Sequence, residues 1–106
     1  MKHEDNRRII YDWANGNFKS LKTVYVKEPI NIGDHFHRNK DEYFMLVSGN
    51  FLELQLGEGT LYNLEAPYIV AVPRNTYHRF ICSPGSILVC GATETFDIND
   101  EIKKDE

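Results

Sequence analysis

Gly33-Asp34-His35-Phe36-His37-Arg38-Asn39-Lys40-Asp41-Glu42 is the stretch on which the reading of this chain turns. His35 and His37 are two apart, and in a β-strand that spacing sends both rings to one face. Glu42 opens the next strand in phase with Phe44 and Leu46, so its carboxylate is expected where those apolar side chains point. Two imidazoles and a carboxylate turned inward are costly unless they find partners. A metal ion supplies the compensation directly.

A third imidazole, His78, follows Pro73-Arg74-Asn75-Thr76-Tyr77. Reading Tyr77–Cys82 and Ile87–Cys90 as a hairpin over Ser83-Pro84-Gly85-Ser86 places His78, Phe80 and Cys82 on one inward face with Ile87 and Val89. Cys82 is then expected near the cavity and Cys90 on the opposite face, with no disulfide between them. Three imidazoles and one carboxylate make a nitrogen/oxygen set for one divalent transition ion: iron, manganese, nickel, zinc or copper. Neutral imidazole is the commonest protein metal ligand. The competing reading is a polar interior without metal, satisfied by neighbours or water. His3 lies in a polar lead and is read as solvated.

Outward from these motifs the chain is built of short apolar runs and turns. Its 106 residues and 12.3 kDa suit one domain with a single core. Leu21–Val26, Ile30–Ile32, Tyr43–Val47, Phe51–Leu56, Thr60–Leu64 and Tyr68–Val72 are spaced as in an all-β sandwich or barrel. In Phe51–Leu56 strict alternation sets Leu52, Leu54 and Leu56 on one face. The near-continuous apolar run Tyr68–Val72 predicts a strand covered on both faces. Ile9–Trp13 reads as an edge strand after a loose start, and Asn99–Lys104 is the one helical candidate. The layout is a lead-in over 1–19, a barrel over 20–93 and an acidic extension over 94–106.

The net charge of −4 is concentrated at the end: Glu94, Asp97, Asp100, Glu101, Asp105 and Glu106 face only Lys103 and Lys104. The rest balances, which leaves no basic stripe for phosphates, so nucleic acid is not expected as a partner. No apolar stretch reaches the roughly 18–20 residues of a membrane helix, and the polar start carries no signal core, so a cytoplasmic protein without membrane contact is expected. Two cysteines cannot form a disulfide framework. The charge of the tail argues for disorder, but Phe96, Ile98 and Ile102 give it apolar points for docking.

The two histidine motifs resemble those of the cupin superfamily. His35-x-His37-x-x-x-x-Glu42, with Gly49 after it, is similar to the first cupin motif, and Pro73-x-Asn75-x-x-His78 to the second. Pro29 and Pro67 stand where the family opens each motif with glycine. Asn75 replaces a glycine, and asparagine tolerates positive φ better than other side chains. Cys82 stands in place of an asparagine. The resemblance implies a double-stranded β-helix, or jelly-roll barrel, a homodimer, metal ligation by His35, His37, Glu42 and His78, and catalytic roles for Glu42 and His78. Some cupins are metal-free, and some sugar-nucleotide ketoisomerases of this fold use their histidines for acid–base chemistry.

The expected function is an isomerase or epimerase acting on a small anionic or carbohydrate substrate. The alternatives are an iron-dependent dioxygenase and a non-catalytic small-molecule-binding domain. Arg38, Lys40, Arg74 and Arg79 flank the ligand residues and would favour a sugar phosphate, nucleotide sugar or carboxylic acid at the barrel mouth. Arg38, Arg74, Tyr77 and Phe80 are the substrate-binding candidates.

Overall fold

A computed structural model of the protein describes residues 2–29 and 31–103. Strands β1 (Lys2–Glu4) and β2 (Ile9–Tyr11) form a small hairpin. The body is made of β3 (Ser20–Tyr25), β4 (Asn31–His35), β5 (Glu42–Ser48), β6 (Asn50–Leu56), β7 (Gly59–Glu65), β8 (Tyr68–Val72), β9 (His78–Cys82) and β10 (Ile87–Ala92). They build two antiparallel four-stranded sheets, in the orders β3-β10-β5-β8 and β4-β9-β6-β7, which pack as a jelly roll. None of the helices among the described residues is long and apolar enough to cross a membrane.

The core lies between the sheets. Phe44, Leu46, Val70, Val72, Leu88 and Cys90 enter it from one side, and Phe51, Leu54, Phe80 and Cys82 from the other. Side chains of the size of Phe51, Phe80, Leu46 and Leu88, all wholly buried, stabilise a fold by about 1.5–3 kcal/mol each. Phe44, Phe51 and Phe80 meet edge-on or tilted, with ring centroids 4.9 and 5.4 Å apart. This places an aromatic floor beneath the histidine motifs.

Three expectations about facing are corrected. In β6 the register shifts between Phe51 and Glu53, so Phe51 and Leu54 are the buried residues and Leu52 is exposed. A bulge adds one residue and reverses the alternation beyond it. The Ser83–Ser86 turn does not close a hairpin: β9 and β10 belong to opposite sheets. Leu88 and Cys90 therefore point inward, while Ile87 and Val89 are only half-buried. Strand β8 is the edge of its sheet, and Ile69 and Ala71 face out, so it is covered on one side only.

The ends also differ from expectation. Lys2–Glu4 is a strand paired with β2, although the start was expected to be loose. A single 3-10 turn at Ile98–Asp100 occupies the helical candidate, with the Asp97 carboxylate accepting from the Asn99 N–H. Ile30 of the Ile30–Ile32 run and Lys104 of the helical candidate lie outside the described residues, as do Met1, Asp105 and Glu106.

Candidate functional site

The four expected ligand residues converge. One nitrogen each from His35, His37 and His78 and one oxygen of Glu42 lie within 4.8 Å of one another. His35 ends β4 and pairs with His78 at the start of β9, while Glu42 starts β5 in the facing sheet. The site thus spans both sheets at one end of the barrel. His37, Glu42 and His78 are buried, and His35 is half-buried at the opening. The His35 ring meets those of His37 and His78 edge-on, with centroids 4.5 and 4.8 Å away.

Local backbone explains the convergence. Between Gly33 and His35 the β4–β9 register shifts, with Gly33 at φ +90 and Asp34 at φ +65. The bulge turns the His35 ring inward and brings β4 against the side of His78. The loop after β8 is tied down by the Asn75 N–H donating to the His37 carbonyl, and Asn75 has φ +65. Asparagine thus holds the left-handed position where the family pattern has glycine.

The acidic tail is part of the site, a feature the sequence reading did not assign. Phe36 and Ile102 exchange both backbone hydrogen bonds as an isolated bridge. Asp100 is buried, and its carboxylate accepts the backbone N–H groups of Arg38 and Asn39 at 2.9 and 3.3 Å. The Asp100 carbonyl stands 2.8 Å from His37 Nδ1 and can only accept, so Nδ1 is the protonated nitrogen. The available signal was the apolar spacing of Phe96, Ile98 and Ile102, of which Ile102 does pair while Phe96 and Ile98 remain exposed.

The electrostatics follow from this geometry. His37 Nε2 lies 3.0 Å from Glu42 Oε1, and His78 Nε2 lies 3.7 Å from the same oxygen. Burial alone would push the Glu42 carboxyl up, but the His37 contact and the charges of His78, His37 and Lys40 hold it at about 2. Burial pushes His78 down to about 4 against the pull of Glu42, so the ring is neutral at pH 7. Burial, followed by the charge of His37, also lowers His35. Glu42 Oε1 and His78 Nδ1 have no hydrogen-bond partner among the described residues. On its other side Glu42 meets Cys90, whose thiol donates to Oε2 at 3.7 Å. Burial pushes that thiol up to about 12. Cys90, and not Cys82, is the cysteine beside the site.

A cavity of about 60 Å³ adjoins the cluster, lined by Lys22 and Val24 of β3, Ile32 and Gly33 of β4, Lys40 and Glu101, together with the four ligand residues and Phe44. None of the four substrate-binding candidates lines it. Arg38 is exposed over the Phe36 ring, and Arg74 is exposed and paired with Asp41. The Tyr77 hydroxyl donates to Asp34, and Phe80 is wholly buried beneath His78. Two larger grooves, about 330 Å³ beside β3 and about 460 Å³ between β7 and β8, are walled mainly by apolar side chains and hold no such cluster.

No protein-family model matches the sequence, and no curated protein is significantly similar to it. Solved structures do match. A 3,4-ketoisomerase from Helicobacter canadensis superposes with TM-score 0.76 at 21% identity, over 98% of this chain and 86% of that one. A TDP-quinovose 3,4-ketoisomerase from Campylobacter jejuni gives TM-score 0.77 at 21% identity, over 98% and 88%. A 3'-monoepimerase from Streptomyces bikiniensis, in complex with dTDP-quinovose, gives 0.78 at 13% identity, over 95% and 64%. Chain order, sheet order and these superpositions agree that the chain has the cupin fold.

Proposed function

We propose that this chain is an isomerase or epimerase acting on a small carbohydrate at the His35/His37/Glu42/His78 cluster. The observation that carries the reading is the convergence of three imidazole nitrogens and one carboxylate oxygen beside a small cavity. The structural similarity to sugar-nucleotide ketoisomerases and an epimerase supports the choice of reaction over the dioxygenase alternative.

The donor set fits a divalent transition metal. Glu42 Oε1 is buried without a hydrogen-bond partner among the described residues, and a cation held there would satisfy it. His35, His37, Glu42 and His78 would hold the ion, and it would polarise a carbonyl or hydroxyl of the substrate. The remaining work belongs to the chain. Asp100 fixes the His37 ring, and Phe44 and Phe80 exclude water from the inner side of His78. Isomerisation or epimerisation removes a proton from a carbon next to a carbonyl and returns it to the neighbouring carbon or the other face. With an ion held, the second oxygen of Glu42 is the group placed to carry it; the neutral His78 imidazole, whose lone pair the ion would take, could carry it only where no ion is held.

A second reading is favoured by the buried His78 ring, held neutral by its burial: the same cluster working without metal, with the histidines as acid and base. One experiment covers both. The protein is incubated in D₂O with TDP-linked keto sugars and sugar phosphates, before and after chelation, with its metal content measured. Proton NMR then follows carbon-bound deuterium. Exchange in the native protein that falls at least about 100-fold in Glu42→Gln is expected, and chelation separates the two readings. Absence of both exchange and binding across the panel overturns the assignment, and oxygen consumption would favour the dioxygenase.

A further inference from the structure

The β4–β9 ladder passes over Asp34: Gly33 pairs with Arg79 and His35 with His78, so Asp34 is the extra residue of the bulge. Its backbone is left-handed, at φ +65, a conformation that aspartate tolerates through local hydrogen bonds of its short side chain. The half-buried Asp34 carboxylate accepts the hydroxyl of Tyr77. Tyr77 is anchored in turn by its carbonyl, which accepts the Gly57 N–H at 2.8 Å from the turn between β6 and β7. The two partners are the chain neighbours of His35 and His78, whose rings meet edge-on with centroids 4.8 Å apart. A bulge in such a place re-aims a side chain.

We propose that Asp34 and Tyr77 are positioning residues, whose hydrogen bond sets the His35 ring against the His78 ring. The inference rests on the reading of the histidine cluster as the reacting site and adds to it two residues that act through its histidines. The other two rings have supports of their own: the Asp100 carbonyl meets His37 Nδ1, and Phe44 and Phe80 lie behind His78. His35 is half-buried at the opening, so its direction follows the bulge that carries it. When the bond is removed, Asp34 loses what holds it in the left-handed region, the bulge relaxes, and the His35 ring turns away from His78. Tyr77 thereby has a role other than the substrate contact expected from sequence.

The test reads ring contacts by NMR in the full-length, metal-stripped protein, with urea unfolding of each variant alongside. Tyr77→Phe removes the hydroxyl and keeps the ring. Asp34→Asn keeps an accepting oxygen, and Asp34→Gly removes the carboxylate while suiting the positive φ. The nuclear Overhauser contact between the carbon-bound ring protons of His35 and His78 is expected in the wild type and in Asp34→Asn, and lost in Tyr77→Phe and Asp34→Gly. Asp34→Gly separates positioning from stability: its urea midpoint should stand at or above that of Tyr77→Phe although the ring contact is gone. Cobalt affinity should fall about tenfold or more in the same two variants, as it does for groups that orient metal ligands, and hold in Asp34→Asn. A ring contact that survives in Tyr77→Phe, one lost equally in Asp34→Asn, or an Asp34→Gly midpoint below that of Tyr77→Phe would overturn the proposal. Wild-type protein that shows this pattern of ring contacts but neither binds cobalt nor exchanges substrate protons would sink the parent reading and leave this one standing.

Discussion

Gly33→Ala perturbs the one place where β4 and the His78 ring share space. A Cβ at Gly33 would lie 2.7 Å from His78 Cδ2, 2.9 Å from the His78 carbonyl oxygen and 3.0 Å from His78 Nε2. The carbonyl belongs to β9, the strand that β4 pairs with, so it cannot retreat without opening the ladder. The ring cannot retreat either, since Phe44 and Phe80 lie behind it with centroids at 5.9 and 5.4 Å. Two costs add. A side chain in the left-handed region costs about 1–2 kcal/mol. Overpacking against groups that cannot move costs about 1–3 kcal/mol more.

The expected destabilisation of Gly33→Ala is therefore about 2–5 kcal/mol, a large part of the stability of a small domain. Urea unfolding of the metal-free protein measures it. Gly85→Ala is the matched control: Gly85 has φ +86 and open space around it, so only the dihedral cost applies. Because His78 Nε2 faces Glu42, cobalt affinity should also fall at least tenfold in Gly33→Ala and remain unchanged in Gly85→Ala. If the two variants are destabilised equally, within about 0.5 kcal/mol, the claim that β4 is bent to seat the His78 ring is refuted.

Three further outcomes are expected. Asp100→Ala strips the acceptor from the Arg38 and Asn39 N–H groups and should cost about 2 kcal/mol in urea unfolding; an effect below about 0.5 kcal/mol would show that the tail contact contributes nothing. Metal-free protein should lose stability on acidification from about pH 6.5. His78 at about 4 refuses a proton that the unfolded chain accepts from 6.5 downward, a difference of about 3 kcal/mol, and Glu42, at about 2 against 4.5, extends the loss to lower pH. A flat urea midpoint between pH 7 and 4 would contradict that burial. The Cys82 and Cys90 thiols, raised to about 11 and about 12, should resist Ellman's reagent at pH 8 until urea is added; rapid labelling of the native protein would rule out the enclosed core.

The positions of the four clustered residues were legible because they depend on period. A spacing of two on one strand, a strand start in phase with Phe44 and Leu46, and a third histidine on an apolar face are local facts. What failed were readings that carry period across an irregularity. The Leu52/Leu54/Leu56 face was lost to the bulge between Phe51 and Glu53. The partner of Cys82 was misplaced because Ser83–Ser86, a favourable turn for a hairpin, leads from one sheet to the other. A turn sequence specifies the local reversal, not which neighbour the next strand chooses. Of the four basic residues expected at the barrel mouth, Arg38, Lys40, Arg74 and Arg79, Lys40 is the one that lines the cavity beside the cluster.

The same limit explains the tail. Charge made residues 94–106 look disordered, and docking through Phe96, Ile98 and Ile102 looked like the counterweight. The structure resolves that competition differently: Phe96 and Ile98 are 65% and 63% exposed, so apolar burial contributes little from either. What holds the segment is polar. The Phe36–Ile102 bridge and the three acceptor roles of Asp100 attach it to the loop that carries His37. An acidic segment that would be repelled from a carboxylate-bearing site is held there by backbone N–H groups and one imidazole. The groups that orient His37 and those that keep the tail ordered are therefore the same. Whatever loosens the one must loosen the other, and this coupling connects an extension some sixty residues downstream to the chemistry of the first motif.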